Sequence, residues 1–180
     1  MSERREELID KALHYFLKHG LAGLSLRPLA GKIGTSARLL VYHFGSKDGL
    51  IAAVMDEVQA RTQRSFAASA ARAAKSPKGV MRAFWDGITD PANLPTMRLL
   101  FEVQALALQN PAAYARYLKG TSSSWLELIE KSLPPGKSNR AVATLCAAVI
   151  DGLLLEYLST GDLRRTTKAL DHFVALMRNA

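Results

Sequence analysis

Four cations, Arg27, Lys32, Arg38 and Lys47, and no acid stand in the segment SLRPLAGKIGTSARLLVYHFGSK, from Ser25 to Lys47. Ser36, Tyr42 and His43 add hydrogen-bonding groups to the same segment. Guanidinium and ammonium groups neutralise phosphates, and the planar fork of an arginine fits O6 and N7 of guanine. Together these residues suit recognition of a polyanion, which makes double-stranded DNA the first partner to consider. The acid-free stretch is longer still. From Lys11 through Lys47 there are six basic residues and no Asp or Glu, and acids return at Asp48, Asp56 and Glu57. The net charge of +8 favours an acidic partner without naming it.

Such residues need rigid elements to carry them. No strand-like alternation persists in the chain, and helical periodicity dominates. A first helix is predicted from Ser2 to Lys18, with Leu8, Ile9, Ala12, Leu13, Phe16 and Leu17 on one face and Gly20 as its stop. Ser25 is the predicted cap of a second helix, which tolerates Pro28 in its first turn. Gly34 makes the turn, Thr35 or Ser36 caps a third helix ending near Phe44, and Gly45 breaks it. Ser46 caps a long fourth helix, with Asp48 placed against its dipole. That helix is expected to fray into a connector at AASAARAAKSPKG. Further helices are expected from Pro77 to Thr89, from Pro95 to Gln109, from Asn110-Pro111 to Leu133, from Ser138 to Thr160, and from Asp162 to Arg178. Pro134-Pro135-Gly136 is read as a break. The fold class expected is all-α. It has about nine helices: an N-terminal three-helix helix-turn-helix unit over 1–46, and a C-terminal helical bundle over 47–180.

In a helix-turn-helix the second helix of the pair enters the major groove, and residues around it hold phosphates. Here the reading helix is Ser36 to Phe44, with Leu40 and Phe44 turned to the core. Arg38 is the candidate for base readout. Ala37, Leu39 and Val41 offer apolar contact, for instance to a thymine methyl. Tyr42, His43 and Lys47 cluster at the helix end, where phosphate contact is natural, and Arg27 reaches the backbone from the other side.

Other classes find little support. Cys146 is the only cysteine, so a disulfide within the chain and a cysteine-based zinc site are excluded, and a reducing cytoplasm is the expected location. MSERREELID has no apolar core for a signal peptide. The most apolar run, Ala141 to Leu158, contains Asp151 and Glu156, so a buried helix is expected there and no membrane partner. A helical-bundle enzyme or carrier lacks a Glu-x-x-His pair, a cysteine cluster and a Gly-rich phosphate loop, and the four histidines are scattered. No catalytic residue, metal or cofactor is expected.

The segment GTSARLLVYHFGSKDGL, with LSLRPLAGKIG before it, resembles the recognition-helix signature of the TetR family of transcriptional regulators, over about Leu8 to Val58. Gly34, Ser36, Leu40, His43, Phe44, Ser46, Lys47 and Asp48 fit the pattern. Three positions depart from it. Val41 stands where a tyrosine is common, Arg38 where a small residue is frequent, and Thr35 where an apolar residue is usual. Arg38 is read as a change of sequence preference.

The resemblance implies a small-molecule effector pocket among the middle helices. Met81, Phe84, Trp85, Met97, Phe101, Glu102, Gln104, Trp125 and Tyr157 are the candidates, with an unknown ligand. Their spacing alone suits a filled core equally well, and Glu102 can pair with Arg98 instead. The resemblance also implies a homodimer built on the last two helices. Val142, Cys146, Val149 and Leu153 make one stripe, beside Leu145, Ile150 and Leu154, and Leu170, Phe173, Val174 and Met177 make another. Asp151, an acid in AAVIDGLLL, needs a partner or a wet edge. The function expected is that of a ligand-responsive repressor, a homodimer on a palindromic operator. One alternative is a DNA-binding dimer without effector, whose bundle binds a protein partner.

Overall fold

The structure is a computed structural model describing residues 3–73, 79–133 and 139–179, with the side chains of 69–73, 120–123 and 178–179 left out of the description. Nine helices and no strand are found among the described residues. They are α1 (Glu3–His19), α2 (Leu26–Lys32), α3 (Ala37–Phe44), α4 (Lys47–Ala73), α5 (Gly79–Ile88), α6 (Leu94–Gln109), α7 (Ala115–Ser132), α8 (Asn139–Thr160) and α9 (Leu163–Asn179). The chain divides into two compact units. One is Met1–Arg61 with Pro95–Thr121, and the other is Thr62–Leu94 with Ser122–Ala180.

The first unit closes around the apolar faces of α1 to α4 and α6. Leu8, Ala12 and Phe16 of α1, Leu29 of α2, Leu40 of α3, Leu50, Val54 and Met55 of α4, and Leu99, Val103 and Ala107 of α6 share one core with Tyr114 and Tyr117. Local chemistry sets the short helices. Gly34 and Gly45 adopt φ of 71° and 77°, a left-handed region that costs a side chain dearly. Ser36 Oγ accepts from the Leu39 amide at 3.1 Å and so starts α3. Ser46 Oγ accepts from the Gly49 amide at 3.0 Å and starts α4. Ser25 holds the cap position of α2, but its side chain makes no cap hydrogen bond there, contrary to expectation.

Two boundaries differ from the sequence reading. α4 runs 27 residues, through most of the Ala-rich segment expected to be a connector. Alanine has the highest helix propensity, and no breaker occurs before Pro77. Asn110-Pro111 opens a turn rather than a helix: the Ala113 amide donates to the Asn110 carbonyl at 3.1 Å, and α7 begins only at Ala115. The helix starts expected at Ser2, Pro77 and Ser138, and the Pro134-Pro135-Gly136 break, lie outside the described residues.

Thr35 occupies the slot where an apolar residue was expected, and the consequence is visible. Its hydroxyl is buried without a hydrogen-bond partner. An unsatisfied buried hydroxyl costs about 1–3 kcal/mol. Thr35→Val keeps the shape and removes the group, so it is expected to raise the melting temperature. The gain should be about 1 kcal/mol by denaturant titration, and a loss of stability would show that the hydroxyl is satisfied.

In the second unit α9 packs on α8 and on α5. Trp85 is fully buried, and its indole N–H donates to Thr167 Oγ1 at 2.9 Å. Arg82 bridges Asp86 of its own helix and Asp171 of α9, each at 2.8 Å. Asp162 accepts from the Arg165 amide at 2.9 Å and caps α9, as its place after Gly161 predicts. α8 is long and apolar enough to cross a membrane by length and composition, with a mean hydropathy of 1.8. It nevertheless exposes Asp151 and Glu156 and buries Ala143, Cys146, Ile150 and Leu154 within its unit, as a bundle helix does.

Candidate nucleic-acid interface

The reading helix α3 has an inner and an outer side. Leu40 is fully buried, and Ala37, Leu39 and Phe44 are half-buried against the core of the first unit. The Arg5 guanidinium lies 5.1 Å from the centre of the Phe44 ring and covers it. What remains outward is Arg38, Val41 and Tyr42, with Val41 45% and Tyr42 80% exposed. A tyrosine that open is unusual for a side chain with so much apolar surface, and it suits a ring that lies against a partner. Tyr42 stacks edge-on against His43, with ring centres 5.1 Å apart, which holds both at the end of α3.

The other cations of the segment lie on α2 and at the start of α4. Arg27, Lys32, Arg38 and Lys47 are all exposed, and none enters an ion pair among the described residues. Lys11, by contrast, is bound to Glu7 at 2.7 Å. α2 packs on α3, so Arg27 and Lys32 of α2 stand with Arg38 on one helix pair. Unpaired, solvated cations beside an exposed arginine can hold a phosphate backbone without first breaking an internal bond.

The sequence candidates therefore divide. Arg27, Arg38, Val41, Tyr42 and Lys47 are outward, and His43 is half-buried beside them. Leu39 and Ala37 are largely taken up by packing, which leaves them little surface for base contact. Ser36 is exposed, but its hydroxyl is engaged as the cap of α3. Lys32 was given no contact of its own, although it is one of the four cations of the acid-free segment.

The effector candidates fall in both units. Met97 is buried, and Phe101 and Gln104 half-buried, in the first. Glu102, also in the first, does not pair with Arg98 in the described contacts. It accepts from the Leu21 amide at 2.7 Å. In the second unit Phe84 and Trp125 meet Phe66, with ring centres 4.8 to 5.7 Å apart. Trp85 is buried and hydrogen-bonded there, while Met81 and Tyr157 are half-buried. Phe66 was missed because it stands at the edge of the segment read as a connector.

The dimer candidates need a correction. Cys146 and Leu170 are buried within their own unit, at 3% and 0% exposure, and cannot face a second chain. Burial also pushes the Cys146 thiol up from its usual range. Val142, Val149, Leu153, Phe173, Val174 and Met177 are half-buried. The open large apolar positions are Leu145 and Leu155 of α8 and Leu163 and Leu176 of α9. On α8 they continue a seam of exposed residues, Ala141, Leu145, Ala148, Gly152 and Leu155, spaced alternately four and three apart. That is the spacing of a helix packing lengthwise on another. An all-round apolar helix has no single stripe, so its period cannot tell core from seam. Asp151 lies beside the seam with its side chain exposed, the wet edge it required. Although the residue is exposed in the single chain, partial desolvation of its carboxyl raises it above the usual range.

Comparison with known proteins agrees with this geometry. The pattern of the bacterial regulatory proteins of the tetR family matches residues 8–54. The HTH-type transcriptional regulator BetI of Paraburkholderia phytofirmans is 31% identical over 175 residues, covering 93% of this chain and 88% of that protein. Among solved structures, a TetR transcription regulator from Haloarcula marismortui superposes with a TM-score of 0.74 at 17% identity, covering 96% of this chain and 97% of that one. The multidrug binding protein EbrR, complexed with ethidium, gives 0.74 at 24% identity, covering 94% and 97%. The helix pair α2–α3, its exposed cations and a relative 31% identical over 93% of this chain lead to one conclusion: the chain belongs to the TetR family of helix-turn-helix transcriptional regulators.

Proposed function

We propose that the protein is a ligand-responsive repressor, acting in the cytoplasm as a homodimer on a palindromic operator. The observation that carries this reading is the outward face of α3, where Arg38 and Tyr42 stand exposed with cations that enter no ion pair among the described residues. Arg38 reads a base, most favourably a guanine, through its bidentate fork. Tyr42, His43, Lys47, Arg27 and Lys32 hold the backbone, and Val41 offers a methyl contact. Residues 1–46 do the reading, and 47–180 carry dimerisation and effector response. The exposed seam of α8, with Leu176 of α9, pairs with its copy about a two-fold axis, which sets two reading helices about one DNA turn apart. Stoichiometry tests this directly. Sedimentation of a protein–operator complex is expected to give two chains for each palindrome, and a single chain per full site would overturn the dimer.

The effector reading draws on Phe66, Phe84 and Trp125, an aromatic group in the second unit suited to a flat or cationic ligand. It is supported by EbrR, a relative in fold whose solved complex holds ethidium. A thermal-shift screen is expected to find a compound that raises the melting temperature and releases DNA. By linkage, such a compound binds the DNA-bound form less tightly. Compounds that stabilise the protein and leave DNA bound would refute this. One observation favours a second reading, a DNA-binding dimer whose bundle meets a protein partner. The candidate side chains Trp85 and Glu102 are already engaged, by Thr167 and the Leu21 amide.

A further inference from the structure

We propose that α6 and the turn behind it form a two-point clamp on the DNA-reading helix pair, with Glu102 holding the chain just before α2 and Tyr114 holding it just after α3. This rests on the reading of DNA by α3 proposed above, and it assigns positioning roles to two residues outside the helix-turn-helix.

Each point is a specific polar bond set in apolar packing. At the first, the Leu21 amide donates to Glu102 Oε2 at 2.7 Å. Leu21 lies in the link between α1 and α2, and its own side chain is buried in the shared core. The carboxylate sits so close that a Cβ on Gly20 would stand 3.2 Å from Glu102 Oε1. At the second, the Tyr114 hydroxyl donates to Asp48 Oδ1 at 2.9 Å, and Tyr114 is 1% exposed. Asn110 Nδ2 stands 3.5 Å from the other Asp48 oxygen. Asp48 is in the first turn of α4, one residue past Lys47. Between the two points, Leu99, Val103 and Ala107 of α6 are buried in the same core as Leu29 and Leu40 of the reading pair.

The chain topology makes the arrangement consequential. α2 and α3 are short, and the chain enters the pair through the link that holds Leu21 and leaves it into the first turn of α4 at Asp48. Fixing both ends against α6 and the turn that follows it restrains the pair from rotating as a block. Residues 95–121 belong to the same compact unit as residues 1–61. A clamp of this kind acts on affinity through the fraction of molecules whose reading helix is correctly aimed. It donates nothing to DNA.

The test uses the full-length chain with Tyr114→Phe, Glu102→Ala and Glu102→Gln, and Arg116→Ala as control. Arg116 pairs with Asp56 in the same unit, outside both points. Binding to the operator selected by the wild-type chain is measured at several salt concentrations, beside melting temperature. Tyr114→Phe and Glu102→Ala are each expected to weaken binding roughly tenfold, the scale of one lost hydrogen bond to a charged group. The dependence on salt should keep its slope, because no phosphate contact is lost. Glu102→Gln keeps an acceptor and should restore most of the affinity, and Arg116→Ala should match wild type. Random-pool selection with the Tyr114→Phe, Glu102→Ala double variant should tolerate altered half-site spacing. Wild-type affinity and spacing in the double variant would overturn the clamp, as would a loss that Glu102→Gln does not restore. If Glu102→Ala fails to fold, Tyr114→Phe, which keeps the buried ring, decides by the same criteria. Failure of the wild-type chain itself to select a palindrome would instead refute the DNA reading.

Discussion

Leu145→Arg together with Leu155→Arg is expected to yield a folded monomer that no longer holds its operator. Both leucines are about half exposed in the single chain, at 54% and 52%, so the helix tolerates a long charged side chain there. In a two-fold interface each substitution appears twice, and four guanidinium groups would have to enter an apolar seam. An unpaired buried charge costs several kcal/mol, so association fails by a wide margin. A specific dimer complex typically binds in the range of about 10⁻⁸–10⁻¹¹ M, and one half-site alone falls toward the nonspecific range of about 10⁻⁴–10⁻⁶ M. Sedimentation reads the mass, circular dichroism the fold, and a DNA titration the loss. A variant that stays dimeric would move the interface off α8.

Arg38→Ala is the second large effect. The side chain is exposed, and its removal leaves no cavity, so the melting temperature should hold. A bidentate arginine–guanine pair is worth about 1–3 kcal/mol of discrimination. The dimer makes the contact twice, so affinity for the cognate site should fall by the two contributions together. The informative readout is the pattern of loss. One base pair in each half-site should lose its preference while the others keep theirs, since the remaining contacts go to phosphates and methyls. A uniform loss at every sequence, with a shallower salt slope, would make Arg38 a phosphate contact.

Much of the reading unit was legible because its signals are local. Gly34, Gly45, Ser36 and Ser46 each act within a few residues, through a left-handed φ or a cap hydrogen bond, and a sequence displays such features directly. The inward turn of Leu40 follows from helical spacing alone. Distant pairings were not legible. Nothing in RLLFEVQALAL shows that Glu102 turns to the Leu21 amide, 81 residues away, rather than to Arg98. The bond between Tyr114 and Asp48, 66 residues apart, is of the same kind. It depends on packing that buries Tyr114, whose phenol is lifted above its usual range by burial and by the Asp48 carboxylate. α4 was cut short because a low-complexity Ala run looks like a linker when composition is read before propensity. Cys146 was placed at the interface because α8 carries apolar residues on most of its sides, which blurs the contrast that locates a seam.

The central claim is that α3 reads a specific sequence in two symmetric copies. Selection of DNA from a random pool by the wild-type chain, with binding then measured across salt concentrations, tests it most directly. The expected result is a palindrome with half-sites about one helical turn apart, bound far more tightly than unselected DNA at the same salt. Recovery of unrelated sequences, all bound alike and all lost together as salt rises, would contradict it.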